Sequence, residues 1–125
     1  MSLQEYLERF RRAIERLENY GYTEAIEIKE EIRPNKQAVV KATIVLINGS
    51  VLHIAEYIDA RYGIDKISYG YQYQDREQKL IFRYDNASHK PRFKPEAHKH
   101  VANGTIEDSN LPDIFDIVDE IVKFL

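Results

Sequence analysis

Residues 38–59, AVVKATIVLINGSVLHIAEYID, decide the fold. The first ten residues are rich in β-branched side chains, which suit a pleated, half-buried surface better than a helix. Asn48-Gly49 follows, a strong short hairpin signal because a type I′ turn needs positive φ at both central positions. Ser50–Asp59 then reads as the returning strand, with Leu52, Ile54 and Ile58 on one face and Val51, His53, Ala55 and Tyr57 on the other. Two adjacent antiparallel strands joined by a tight turn begin a meander. Glu56 interrupts the apolar face and His53 the other; each is a candidate site residue, although a satisfied structural histidine is the preferred reading of His53 and a rim carboxylate paired with an arginine explains Glu56 equally well.

Outward from this hairpin, Ala25–Arg33 alternates Ile26, Ile28 and Ile32 against charged residues and predicts a preceding strand, with a helix as the alternative because glutamate is so frequent, turned by Pro34-Asn35-Lys36. Lys66–Gln74 predicts a strand with Ile67, Tyr69, Tyr71 and Tyr73 on one face. That tyrosine stripe is read as core or sheet surface in preference to a base-stacking platform. An Asp75–Gln78 turn leads to Lys79–Tyr84, which delivers Arg83 and Asp85 to one side and Tyr84 to the other. His98–Val101 is a candidate short strand beyond Pro91 and Pro95, with both its histidines on one side.

Helices bracket the strands. Ser2 and Glu5 form a capping-box signature, and Leu3, Tyr6, Leu7, Phe10, Ile14 and Leu17 recur at helical spacing until Gly21 stops the helix. A closing helix is expected with Pro112 in its first turn, Ser109 or Asn110 as cap, and an apolar stripe through Ile114, Phe115, Val118, Ile121 and Val122. The expected class is α+β: an N-terminal helix, an antiparallel meander of about five strands and a C-terminal helix, with both helices on one sheet face. The other face is then free to carry a site.

The 125 residues suffice for a single domain, 1–125, with a real core, and their 43% hydrophobic and 31% charged composition is that of a globular protein. No apolar run is long enough to span a bilayer, and Met1 leads straight into a polar periodic segment, so no membrane association and a cytoplasmic location are expected. The absence of cysteine excludes disulfides, thiolate metal sites and cysteine nucleophiles. The net charge of −3 hides an asymmetry. Arg83, Lys90, Arg92, Lys94 and Lys99 cluster within 17 residues, whereas the final 19 are acidic.

The basic cluster lies in FRYDNASHKPRFKPEAHKHV, residues 82–101, with three of the four histidines. So many polar groups are costly to bury, so they face water or a ligand. Three chemistries fit. His98 and His100 could share a metal with His89, Asp85 or Glu56, although the spacing matches no strong zinc signature and no cofactor is expected. The loop could be solvated without a special role. Alternatively, His89, His98 and His100 could cleave RNA without a metal, one histidine as base on the ribose 2′-hydroxyl and another as acid on the leaving 5′-oxygen. An unperturbed pKa of about 6.5 permits both roles. Asp85 would then orient a histidine or arginine, Arg83, Lys90, Arg92 and Lys99 would hold phosphates, and Tyr84 would stack a base.

The sequence Arg83-Tyr84-Asp85-Asn86-Ala87, then His89, then His98-Lys99-His100-Val101 resembles the signature of the TumE family of toxin–antitoxin proteins. The likeness extends to Tyr6-Leu7, Asn48-Gly49-Ser50, the Tyr71–Asp75 strand end and Leu80-Ile81-Phe82. It implies a small prokaryotic toxin component that acts on RNA and is encoded beside a cognate DNA-binding antitoxin. Ser88, Lys90 and Ala97 depart from the family pattern, in which Pro, His and His are common, leaving His89 as the one histidine of the motif's first half. Helix followed by meander is also similar to RelE-type ribonuclease toxins, an analogy of fold alone. The oligomeric state is not legible, a homodimer being one arrangement the sequence allows. The acidic closing helix reads either as a solvated face or as a surface for a basic antitoxin segment.

Overall fold

A computed structural model describes residues 1–86, 98–101, 106–108 and 112–125, and of residues 98–100 and 106–108 the backbone alone. Helix α1 (Leu3–Asn19) is followed by β1 (Thr23–Arg33), β2 (Gln37–Leu46), β3 (Val51–Asp59), β4 (Asp65–Gln74), β5 (Leu80–Asp85), β6 (His98–Val101) and β7 (Ile106–Asp108), then helix α2 (Ile114–Val122). The strands form one antiparallel sheet in chain order. The expected α+β arrangement holds, with the meander extended to seven strands by β6 and the short β7.

Both helices cover one face. Ser2 and Glu5 cap α1 reciprocally, and Tyr6, Leu7, Phe10, Ala13, Ile14 and Leu17 bury its apolar stripe. They meet Val40, Ala42, Ile44 and Leu46 of β2, Leu52, Ile54 and Ile58 of β3, and Tyr69, Tyr71 and Tyr73 of β4. The tyrosine stripe is thus core. Removing such side chains from water drives the packing, at about 1.5–3 kcal/mol for each large apolar group. Arg11 clamps α1 to the edge strand through two parallel bonds to Glu30, Nε to Oε1 at 2.7 Å and a terminal nitrogen to Oε2 at 2.8 Å. Phe115 of α2 lies under the Arg9 and Arg16 guanidiniums, 4.6 and 4.8 Å from its ring centroid.

Three local expectations are corrected. The Asn48-Gly49 turn is a three-residue loop: Leu46 and Ser50 close it, and Gly49 alone has positive φ, 83°. The positive pair falls instead at Asn35 and Lys36, with φ of 64° and 56°. Helix α2 is capped by Asp113, whose side chain accepts from the Phe115 amide while Asp116 returns to the Asp113 amide, so Pro112 precedes the cap. Ser109 and Asn110 lie outside the described residues.

The third correction reshapes the core. Tyr57 pairs with Ser68 but Ile58 with Lys66, so Ile67 is the extra residue of a β-bulge. That one residue reverses the alternation. Ile67 is left 48% exposed, while Lys66 turns inward to a side-chain exposure of 7%.

Lys66 turns inward to meet Glu56. Its Nζ lies 3.3 Å from Glu56 Oε2, and it also donates to the Tyr71 hydroxyl at 2.5 Å and to the Pro112 carbonyl at 3.0 Å. Tyr6 donates to Glu56 Oε1 at 2.5 Å and Tyr71 donates to Oε2. Burial, and then the adjacent carboxylate, push both phenols far above the usual tyrosine range, so they remain donors. The apolar-face carboxylate therefore belongs to a buried polar cluster that ties α1, β3, β4 and the approach to α2 together. Its cationic partner is Lys66, where the sequence suggested an arginine.

Candidate functional site

The open face of the sheet follows from pairing register. Across the strands run Lys29, Lys41, Ala55, Gly70 and Asp85, with His98 at the register position opposite Asp85. The adjacent row is Glu27, Thr43, His53, Gln72 and Arg83, with His100 at the position opposite Arg83. Directly paired antiparallel residues share a face.

The Arg83-Tyr84-Asp85-Asn86 motif is explained residue by residue. Arg83 Nε donates to Asp85 Oδ2 at 2.7 Å, and its Nη1 donates to Gln72 Oε1 at 3.1 Å. Asp85 is 3% exposed and Arg83 37%, so the carboxylate lies beneath and the guanidinium above. A Cβ on Gly70 would stand 2.9 Å from Arg83 Nη2, so the glycine makes room for the guanidinium. Tyr84 faces the helices and donates to Glu120 Oε1 at 2.6 Å. Asn86 carries the ladder one step further with its side chain: Oδ1 accepts from the Tyr69 amide at 3.1 Å and Nδ2 donates to the Ile67 carbonyl at 3.0 Å. The β4–β5 pairing thus ends at Asn86.

A groove of about 520 Å³ occupies this face, lined among others by Val39, Lys41, His53, Ala55, Tyr57, Ile67, Gly70, Arg83, Asp85 and Asn86. Two of the residues expected at a site, Arg83 and Asp85, line it together. His98, Lys99 and His100 are described by backbone register only, Lys99 standing opposite Tyr84. His89, Lys90 and Arg92 lie outside the described residues. Tyr84 is on the far side of the sheet and does not join the groove, a correction to its expected role in base stacking. Among the described residues no three His, Asp or Glu side chains gather as a metal-binding group.

Lys41, Gly70, Gln72 and Tyr57 were not singled out as site residues by sequence reasoning. The signal for Gly70 was present as an interior strand glycine, which marks close approach. Lys41 and Tyr57 could be found only through register, because they come from strands far from the histidine loop in sequence. The acidic closing helix is largely engaged with the protein itself: Asp113 with Arg9 at 2.6 Å, Asp119 with Arg16 at 3.1 Å, and Glu120 with Tyr84. No helix among the described residues is long and apolar enough to cross a membrane.

Compared with known proteins, residues 10–125 match the model of the family described as Toxin TumE. No curated protein and no solved structure matches the chain.

Proposed function

Because the chain belongs to the toxin TumE family, we propose that it is the toxin component of a toxin–antitoxin pair and acts as a metal-independent endoribonuclease on the open face of the sheet. The observation that carries this reading is the β5–β6 register, with Asp85 opposite His98 and Arg83 opposite His100. It supports a site in which acid–base groups stand beside a fixed cation.

In the proposed reaction one of His98 and His100 takes the proton from a ribose 2′-hydroxyl, and that oxygen attacks the adjacent phosphorus. The bond from phosphorus to the 5′-oxygen breaks, and His89 protonates the departing oxygen. The products are a 2′,3′-cyclic phosphate and a 5′-hydroxyl. Arg83 stabilises charge on the phosphoryl oxygens, with Lys99, Lys90 and Arg92 along the backbone. Asp85 serves as a positioning residue: its bond to Arg83 Nε leaves the terminal nitrogens directed by Gln72 and Gly70. The expected partner is a cognate DNA-binding antitoxin that restrains this activity.

Purified protein incubated with RNA in a chelating buffer should yield cyclic-phosphate ends, and His98→Ala and His100→Ala should suppress them. Intact RNA between about pH 5 and pH 8, with folded wild-type protein, overturns the proposal. If instead charge reversal at Arg92 and Lys94 abolishes the cellular effect while the histidine variants retain it, the protein is a non-catalytic binding module.

A further inference from the structure

We infer that the open face carries a subsite for one unpaired nucleobase, floored by Ala55, bounded by the Arg83 guanidinium that lies over Gly70, and walled by Tyr57 and Ile67. This rests on the proposal that the substrate is RNA and specifies how that substrate would seat. Ala55 and Gly70 pair directly across β3 and β4, and the Arg83 guanidinium lies over Gly70, so Ala55 is the low open point of the sheet. Longer side chains surround that point. Lys41 stands opposite Ala55 on β2, Asp85 opposite Gly70 on β5, and His53 and Tyr57 flank Ala55 along β3. The result is a dip within a groove of about 520 Å³, a volume typical of small-ligand sites.

The walls favour a planar aromatic ligand with anionic flanks. The Tyr57 hydroxyl donates to Gln37 Oε1 at 2.7 Å, which holds the ring in place before any ligand arrives. Ile67, pushed outward by the bulge, adds an exposed apolar surface at the same end. On the cationic side, Lys41 is exposed and has no ion pair among the described residues. Arg83, carried by β5, places its guanidinium over Gly70 of β4, two strand spacings or roughly 10 Å from β2. Cations on both sides of an aromatic-walled dip suit a base whose flanking phosphates emerge on either side. A base held in a duplex cannot enter it, whereas a splayed base can stack on tyrosine.

The test uses a short unstructured oligoribonucleotide, 2′-O-methylated throughout so that it cannot be cleaved, and an abasic chain of the same length. Ala55→Leu fills the dip from an exposed position, and Tyr57→Leu removes the stacking wall; circular dichroism verifies their folding. Both should weaken binding of the base-bearing oligonucleotide about tenfold or more and leave the abasic chain's affinity unchanged, while Tyr57→Phe, which keeps the ring but loses its bond to Gln37, retains the preference for the base-bearing chain. The subsite is overturned if wild type does not prefer the base-bearing chain, or if the variants retain that preference. The two proposals fail separately. Base-selective binding with uncut RNA removes the nuclease alone, and RNA cleavage with unaltered base preference in Ala55→Leu removes the subsite alone.

Discussion

Arg83 Nε donates to Asp85 Oδ2 at 2.7 Å, from a side chain 37% exposed to one only 3% exposed. The pair lies on the face that the helices leave open, and one residue of spacing along β5 is enough to build it. A buried carboxylate beneath a half-exposed guanidinium fixes a cation in the groove without neutralising every donor.

Arg83→Lys should therefore reduce RNA cleavage about 100-fold, the scale seen when one donor to a developing anion is removed. Lysine keeps the charge but cannot reach Asp85 and Gln72 together. Asp85→Asn should give a similar loss with little change in the affinity for uncleavable RNA. Single-turnover kinetics beside a binding titration separate the two effects.

Glu56 and Lys66 form a buried pair whose separate removal leaves an uncompensated charge. Glu56→Gln should destabilise the fold by about 3–5 kcal/mol, and Lys66→Met by a comparable amount. The double variant Glu56→Gln with Lys66→Met should cost less than the sum of the single substitutions, because neither charge is then left behind. Urea unfolding of the four proteins measures the coupling.

At Gln78, φ is 67°, with the Gln78 amide bonded to the Asp75 carbonyl at 2.9 Å in the β4–β5 turn. Left-handed backbone disfavours a side chain at this exposed position. Gln78→Gly should raise stability by about 0.5–1 kcal/mol, the relief of strain being partly offset by the greater freedom of the unfolded chain. A shift in thermal midpoint detects it.

Asp113 gives the fold an acid limb. Burial alone would raise its carboxyl, but the Arg9 guanidinium and the Phe115 amide outweigh burial and hold it below the usual range. A depressed folded-state value contributes stability above the unfolded value and loses it as pH falls through the folded one. Wild type should thus lose stability below about pH 4, and Asp113→Asn, which still caps α2, should flatten that limb. Unfolding free energy measured against pH tests this.

Much of the architecture was legible because periodicity carries it. The Ser2–Glu5 box, the helical stripe to Leu17, the β-branched run of β2 and the alternation of β3 all reappear. The bulge at Ile67 was not legible, since alternation assumes an uninterrupted ladder and placed Ile67 inside and Lys66 outside. It also concealed the partner of Glu56. For the site, Arg83 and Asp85 could be paired from strand parity alone. Lys41, Ala55, Gly70 and Tyr57 could not, because their proximity depends on how four strands align and not on local sequence. Tyr84 was expected to stack a base although strand parity already set it opposite Arg83 and Asp85; that opposite side is the helix side, where it meets Glu120.

Under the proposed function, RNA engages the open face and not the helical layer. Photocrosslinking of a 4-thiouridine-containing oligoribonucleotide, with the adducts mapped by mass spectrometry, tests it most directly. Adducts on peptides carrying Tyr57, Ile67 and Arg83 are expected. Adducts confined to α1 and α2, or spread evenly over the surface, would contradict it.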